Sequence, residues 1–189
     1  MKNRIESFEN LVNALETLPS IGKKSAQRIA YHMSMKDHFG AMKIAHAIEK
    51  AIQKIRVCER CGAMSEDELC PICSDITRDN TKLCIVENAK DILLIESSCD
   101  YDGTYFVIES IENLDSNKLI ERIEEGVEEV IFAFSPSIAT DAMILFIEEK
   151  LKDFDLTFTK IAQGIPTGVS LENIDMLSLS RALQDRVKI

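Results

Sequence analysis

Apolar side chains in the first part of the chain recur at helical spacing. Ile5, Phe8, Leu11, Val12, Leu15 and Leu18 stand at short, mostly three- or four-residue steps, the spacing that gathers side chains on one face of a helix. Pro19 ends that helix, because its ring clashes with the preceding turn and it has no N–H to donate. Ala26, Ile29, Ala30 and Met33 set one face of a second helix, from about Lys23 to Met35. Ile44, Ala45, Ile48, Ala51, Ile52 and Ile55 do the same for a third, from about Ala41 to Arg56. From Lys82 the period changes. Leu83–Val86, Tyr105–Ile108 and Val130–Phe134 are near-continuous apolar runs, as strands buried on both faces require. Ala89–Ile95, Lys118–Glu125 and Ala142–Leu151 keep helical spacing between and after them. Strands alternating with helices predict right-handed βαβ units and a mostly parallel sheet.

A short polar segment rich in cysteine, from Cys58 to about Asp79, separates the two regimes. The chain therefore reads as mixed α+β and α/β in four parts. These are a helical hairpin domain over 1–57, a small four-cysteine finger over 58–79, an α/β domain over 80–165 and a C-terminal helical tail over 166–189. No apolar run is long enough to span a bilayer. Met1–Glu6 lacks the apolar stretch of a signal peptide, so a cytoplasmic location is expected. No internal repeat occurs, and no GxxxxGK[ST] loop points to ATP.

Charge changes the picture. The net charge of −10 argues at first against a nucleic-acid partner. It is unevenly spread: residues 1–57 hold ten Lys and Arg against five Asp and Glu, and residues 58–189 hold twelve against twenty-seven. A basic head on an acidic body can bind phosphate locally while the body repels it.

Cys58-x-x-Cys61 and Cys70-x-x-Cys73 are separated by eight residues. Two residues between cysteines let both thiolates of a knuckle reach one metal, and two knuckles complete the tetrahedral sulfur shell that suits Zn²⁺. Gly62 after the first pair and Pro71 within the second fit tight turns. Four protein ligands leave no position open for water, so the zinc is expected to be structural. The alternatives are two disulfides, which a reducing cytoplasm disfavours, and a redox-active CxxC, which usually stands alone at a strand–helix junction. Cys84 lies in an apolar strand and reads as a small core residue; Cys99 lies in a loop.

Leu18-Pro19-Ser20-Ile21-Gly22-Lys23-Lys24-Ser25-Ala26-Gln27-Arg28 joins two helices through a tight turn. The segment resembles the helix–hairpin–helix motif, usually LPGΦG followed by a basic helix. The resemblance implies that the hairpin around Gly22 and the start of the second helix offer N–H groups to a DNA phosphate. Lys23, Lys24 and Arg28 would add charge. Such contacts hold the backbone and read no bases. Ser20 departs from the pattern, standing where the motif has its first glycine. The plainer alternative is a helix-breaking loop beside a solvated basic face.

Leu83-Cys84-Ile85-Val86-Glu87 followed by Asn88-Ala89-Lys90-Asp91-Ile92 looks like the start of a Toprim domain, the α/β module of topoisomerases, primases and some nucleases. In catalytic members the glutamate is joined by a DxD pair at the end of a later strand, and together they hold Mg²⁺. Here Ala139 and Asp141 occupy the two DxD positions, so one acid of the pair survives. Catalysis by this module is not expected, and an acidic pocket at Glu87 and Asp141 is expected to receive a basic partner protein instead. Asp100-x-Asp102 imitates a DxD by letter, but it precedes a strand and runs into Gly103, which favours a turn.

Hairpin, four-cysteine site and Toprim module in this order resemble the RecR family of bacterial recombination mediators along essentially the whole chain. The segments that carry the resemblance also include LCIVENAKDILLIE (83–96) and KIAQGIPTGVSLENID (160–175). The resemblance implies a non-catalytic, zinc-containing DNA-binding scaffold. It would act with RecO, and in some bacteria RecF, to load RecA onto gapped DNA coated by single-strand-binding protein. It further implies a ring-like homotetramer with basic hairpins facing a central hole. Departures beyond Ser20 and Ala139 are a shorter loop at Glu109–Asn117, and Val169 and Ser170 in place of a glycine and a glutamate. Two other functions stay open on the residues alone. One is a small Toprim nuclease using Glu87 and Asp141, and the other is a zinc-stabilised protein adaptor that binds no DNA.

Overall fold

The computed structural model describes residues 5–98, 101–162 and 168–184. The chain divides into two compact units between Ile55 and Arg56. In the first, helices α1 (Glu6–Glu16), α2 (Lys23–Met35) and α3 (His38–Lys54) follow one another. Helix α1 stops before Pro19 is reached, because Thr17 turns back on it. The Thr17 hydroxyl donates to the Ala14 carbonyl at 2.7 Å. Val12, Ala26 and Ala30 form the buried centre, with Phe8, Leu11, Leu15 and Ile21 around them. The two alanines, four residues apart on α2, give α1 a flat face to pack on.

Helix α3 begins three residues before the expected Ala41, because Asp37 caps it by accepting from the Gly40 N–H at 2.8 Å. Its periodic apolar side is present, yet no residue of α3 is buried. Three short helices enclose too little volume to cover a third apolar face.

The second unit starts with a two-stranded antiparallel hairpin, β1 (Arg56–Val57) and β2 (Met64–Ser65), and a single turn of helix, α4 (Pro71–Ser74). Strands β3 (Asp79–Val86), β4 (Gly103–Val107), β5 (Glu129–Ala133) and β6 (Thr157–Lys160) then form one sheet in the order β4-β3-β5-β6. Every pairing in it is parallel. Helices α5 (Ala89–Ser98), α6 (Ser116–Glu124) and α7 (Ile138–Lys150) make the crossovers. A short 3₁₀ turn (Leu171–Asn173) and α8 (Met176–Gln184) lie towards the C-terminus.

Strand side chains alternate between two cores. Leu83, Ile85, Val130, Phe132 and Phe134 point to one face, where α6 and α7 supply Leu119, Ile123, Met143 and Ile147. Cys84, Val86 and Tyr105 belong to the other face, with Ile131 and Ala133 packed beside them. Ile92 of α5 covers this second face, and so do Cys58, Cys61, Ala63 and Cys70. The finger is therefore a layer of the sheet domain's own core. Cys84 is 3% exposed within it, as a small core residue should be.

The chain leaves β3 towards β4 on one side and later returns to place β5 on the other. The carboxyl ends of β3 and β5 thus flank the topological switch point, the usual ligand crevice of open parallel sheets.

Candidate metal centre and nucleic-acid interface

Two tight turns bring the four thiols together. In the first, the Cys58 N–H donates to the Ala63 carbonyl at 2.7 Å and the Gly62 N–H to the Cys58 carbonyl at 3.0 Å. Gly62 takes a φ of 80° there, a conformation that costs a Cβ-bearing residue strain. In the second, Cys70 caps α4 and Pro71 occupies its first position, where a missing N–H is harmless. The Sγ atoms of Cys58, Cys61, Cys70 and Cys73 lie within 4.8 Å of one another. Among the described residues no other group of three or more Cys, His, Asp or Glu converges in this way.

Backbone donors surround the sulfurs. Ala63 N–H points at Cys61 Sγ (3.4 Å), Cys70 N–H at Cys58 Sγ (3.2 Å) and Cys73 N–H at Cys70 Sγ (3.4 Å). These donors spread the negative charge that four thiolates bring to one metal. Without a metal, the Cys73 thiol is shifted down and those of Cys61 and Cys70 up. The Cys73 pKa is held at about 6, chiefly by a hydrogen bond from Cys61. Cys61 is pushed well up by that same bond and by burial. Soft donors, fourfold number and burial fit Zn²⁺, and with all four positions taken by protein the site is structural. The chain holds one structural zinc.

A network unannounced by the sequence ties this site to the sheet domain. Arg60, between the first two cysteines, donates to the Cys73 carbonyl at 3.3 Å and pairs with Glu125 at the end of α6. The same Glu125 oxygen accepts from Arg122 at 2.6 Å. Arg122, 3% exposed, also donates to Thr104 Oγ1 at 2.6 Å and to Asn80 Oδ1 at 3.3 Å. Arg60 and Glu125 are sixty-five positions apart, beyond the reach of any local pattern.

In the helical unit, the turn from Leu18 to Ile21 closes through an Ile21 N–H to Leu18 carbonyl bond of 3.2 Å. Ser20 adopts a φ of 63°, so the backbone takes the left-handed shape that glycine would take more cheaply. Gly22 is the N-cap of α2, and no side chain caps that end. A Cβ built on Gly22 would meet nothing within 4 Å, so the space before the helix start is open. Lys23, Lys24 and Arg28 are all exposed, and α2 has no acidic residue in its first turn. Uncapped N–H groups and the positive end of the helix dipole coincide with Lys23 and Lys24, and Arg28 follows one turn along, an arrangement suited to a phosphate.

Glu87 stands just past β3, and its Oε2 accepts from the Ser135 N–H at 2.9 Å, across the switch point. Asp141 lies well beyond the end of β5. Ser137 and Thr140 form a reciprocal capping box that starts α7 at Ile138. Ala139 and Asp141 consequently sit in the helix's first turn, beyond the end of β5. Asp141 borders a cavity of about 390 Å³ lined mainly by Phe132, Ile144, Leu145 and Phe158, with Glu148 and Lys160 at its polar side. Glu87 is not among its lining residues. Cys99 and Asp100 lie outside the described residues. The Asp102 carboxylate accepts from Lys82 Nζ at 3.1 Å and its carbonyl from the Asp79 N–H at 2.9 Å, which fixes the entry to β4.

Comparison with known proteins accounts for the same modules in the same order. The family model for the RecR helix-hairpin-helix matches residues 8–52, and that for the RecR four-cysteine zinc finger domain matches 55–75. The Toprim domain model matches 81–162, and the RecR C-terminal model matches 164–187. The chain is 57% identical to Recombination protein RecR of a Nitratiruptor species over the whole of both chains. It is 50% identical to Recombination protein RecR of Helicobacter pylori, over 99% of this chain and 97% of that one. The protein of the same name from Campylobacter jejuni subsp. doylei is 51% identical over both full lengths. With four consecutive modules matched and half or more of the residues shared end to end, the chain belongs to the RecR family.

Proposed function

We propose that the chain is a non-catalytic DNA-binding scaffold of recombinational repair, holding DNA through Gly22, Lys23, Lys24 and Arg28. The observation that carries this is the uncapped start of α2, open in front of Gly22 and flanked by exposed cations. Contacts of that kind reach phosphates alone, so binding is independent of sequence and weakened by salt.

The acidic unit acts on proteins. Glu87 and Asp141 follow the adjacent strands β3 and β5. The surplus of carboxylates in residues 58–189 repels a second stretch of DNA. A basic partner protein suits this end of the sheet. The partner is RecO, joined in some bacteria by RecF. The assembly, a homotetramer in the cytoplasm, promotes RecA loading onto gapped DNA covered by single-strand-binding protein. The nuclease alternative loses support from Ala139, which removes one acid, and from Glu87, one of whose oxygens is engaged by Ser135.

Reconstitution tests this. RecA filament growth on gapped DNA coated by single-strand-binding protein is followed with RecO present, with and without the chain. Faster growth with wild type, lost in Lys24→Ala/Arg28→Ala and in Glu87→Gln/Asp141→Asn, is expected. Growth that ignores the chain would overturn the scaffold role, and Mg²⁺-dependent cleavage abolished by Glu87→Gln would replace it with the nuclease.

A further inference from the structure

The basic face of α2 continues past Arg28 into an aromatic ring. At about 100° per residue, Lys24, Arg28 and Tyr31 fall within one narrow stripe, opposite the buried Ala26 and Ala30. Tyr31 lies roughly 4.5 Å further along the axis than Arg28 and about 10 Å beyond Lys24. It is 51% exposed. The chain has three tyrosines and no tryptophan. Tyr105 is fully buried, and Tyr101 packs edge-on against it at 5.1 Å. Tyr31 is therefore the most exposed of the three tyrosines, and it stands next to the cations.

Two occupants could cover such a stripe, a polyanion with flat bases or a second copy of the chain. Charge decides between them. The helix KKSAQRIAYHMSM contains no acidic residue. A two-fold contact between copies on this stripe would set Lys24 and Arg28 against their own equivalents, with nothing to compensate them. A nucleic-acid strand brings phosphates to Lys24 and Arg28, and any unpaired base has a π-face for the ring.

We propose that Tyr31 stacks on an unpaired nucleobase and gives the DNA-binding hairpin a preference for single-stranded over duplex DNA. This rests on the DNA-binding role of the hairpin given above. The hairpin and its cations hold the phosphates of either form. A base in duplex is already stacked and paired, so the ring gains nothing from it. A base in a single strand can rotate onto Tyr31 one helical turn from the phosphate held at Arg28. A gap, where duplex gives way to single strand, presents both kinds of ligand side by side.

The lack of tryptophan makes the test direct, because only three tyrosines emit and the difference between wild type and Tyr31→Phe reports on Tyr31. The full chain is titrated at low salt with oligothymidylate, with an abasic deoxyribose-phosphate strand of equal length, and with duplex DNA. Emission and affinity are both recorded, and sedimentation follows the state of association. Oligothymidylate is expected to quench the emission and the abasic strand to bind without quenching. Tyr31→Ala should weaken oligothymidylate binding on the order of tenfold and leave abasic and duplex binding unchanged. Tyr31→Phe should restore the affinity while abolishing the quenching, since Tyr101 and Tyr105 alone then emit. Absence of quenching, or equal losses on all three ligands, would overturn the stacking role. Equal losses together with dissociation of the protein would assign Tyr31 to self-association. Failure of wild type to bind even the abasic strand would instead remove the phosphate-binding hairpin on which the proposal stands.

Discussion

The N–H of Val107, the last residue of edge strand β4, donates to the carbonyl of Cys61 at 2.8 Å, so the first zinc knuckle is hydrogen-bonded onto the sheet. Gly62 makes the approach possible. A Cβ built there would come within 3.0 Å of Val107 Cβ, and its φ of 80° already favours glycine. Cys58, Cys61 and Cys70 also lie in the core beneath the sheet. The metal therefore stabilises the α/β unit as well as the finger.

Chelation of the zinc, or Cys61→Ser, should lower the stability of the whole second unit. The expected loss is at least about 2 kcal/mol, since a core layer is disordered along with the site. Zinc content and thermal unfolding followed by circular dichroism check it. An unchanged melting of the sheet after zinc removal would show the finger to be an independent appendage. Zinc retention should also fall on acidification, because protons compete with the metal for the thiolates.

Glu125 holds two guanidiniums at once, that of Arg60 from the finger and that of Arg122 from its own helix. Glu125→Ala leaves the buried Arg122 without its carboxylate and should destabilise the unit by about 1–2 kcal/mol, less than for a fully buried pair because Glu125 is 45% exposed. Double variants with Arg60→Ala should show a coupling energy, whereas additive losses would mean that the shared contact is unimportant.

Ser20 carries strain that glycine would relieve. Its φ is 63°, which costs a residue with a Cβ roughly 1–2 kcal/mol, partly offset by glycine's greater freedom in the unfolded chain. Ser20→Gly is expected to stabilise the helical unit by about 0.5–1 kcal/mol. Ser20→Val should do the opposite, and denaturant unfolding of both variants decides it.

Arg78 grips Glu96 with both nitrogens, one of them at 2.9 Å, and Tyr105 donates to the same carboxylate at 2.6 Å. The hydrogen bond from Arg78, followed by that from Tyr105, holds the Glu96 pKa below its ordinary 4.5. A pKa depressed by folding means stability that is complete above the ordinary glutamate range and is lost as pH falls through the folded value. Glu96→Gln should thus be less stable than wild type at neutral pH by about 1 kcal/mol. The difference should close as pH falls through the folded value, below the ordinary glutamate range. A constant gap across that range in pH-dependent unfolding would contradict the pairing.

Much of this arrangement was legible in the residues. Helix α2 spans Lys23–Met35 as its periodicity predicts, and the three apolar runs are edge strand β4 and the two inner strands of a parallel sheet. The four cysteines converge because CxxC spacing is a local rule. What escaped was set by contacts at long range or by short polar signals. Strand β6 has one large apolar residue, Phe158, in Thr157–Lys160, and lies at the sheet edge, where one-sided burial leaves little pattern. The β1–β2 hairpin is two residues long on each side, too short for alternation to register. Helix α7 was expected from Ala142, and the Ser137–Thr140 capping box instead starts it at Ile138. The Arg60–Glu125–Arg122 link joins residues far apart in the chain, which composition and spacing do not relate.

The central claim is that an acidic protein holds DNA through one small basic hairpin. Affinity for single-stranded DNA measured across a salt series, with zinc content taken on the same preparation, tests it most directly. The account predicts one zinc per chain and a logarithm of affinity that falls linearly with that of salt, by about 0.7 for each phosphate held. In Lys24→Ala/Arg28→Ala the slope should become shallower by roughly one to two units while the zinc content stays the same. No affinity at low salt in a zinc-replete protein, or a slope unchanged in the double variant, would contradict it.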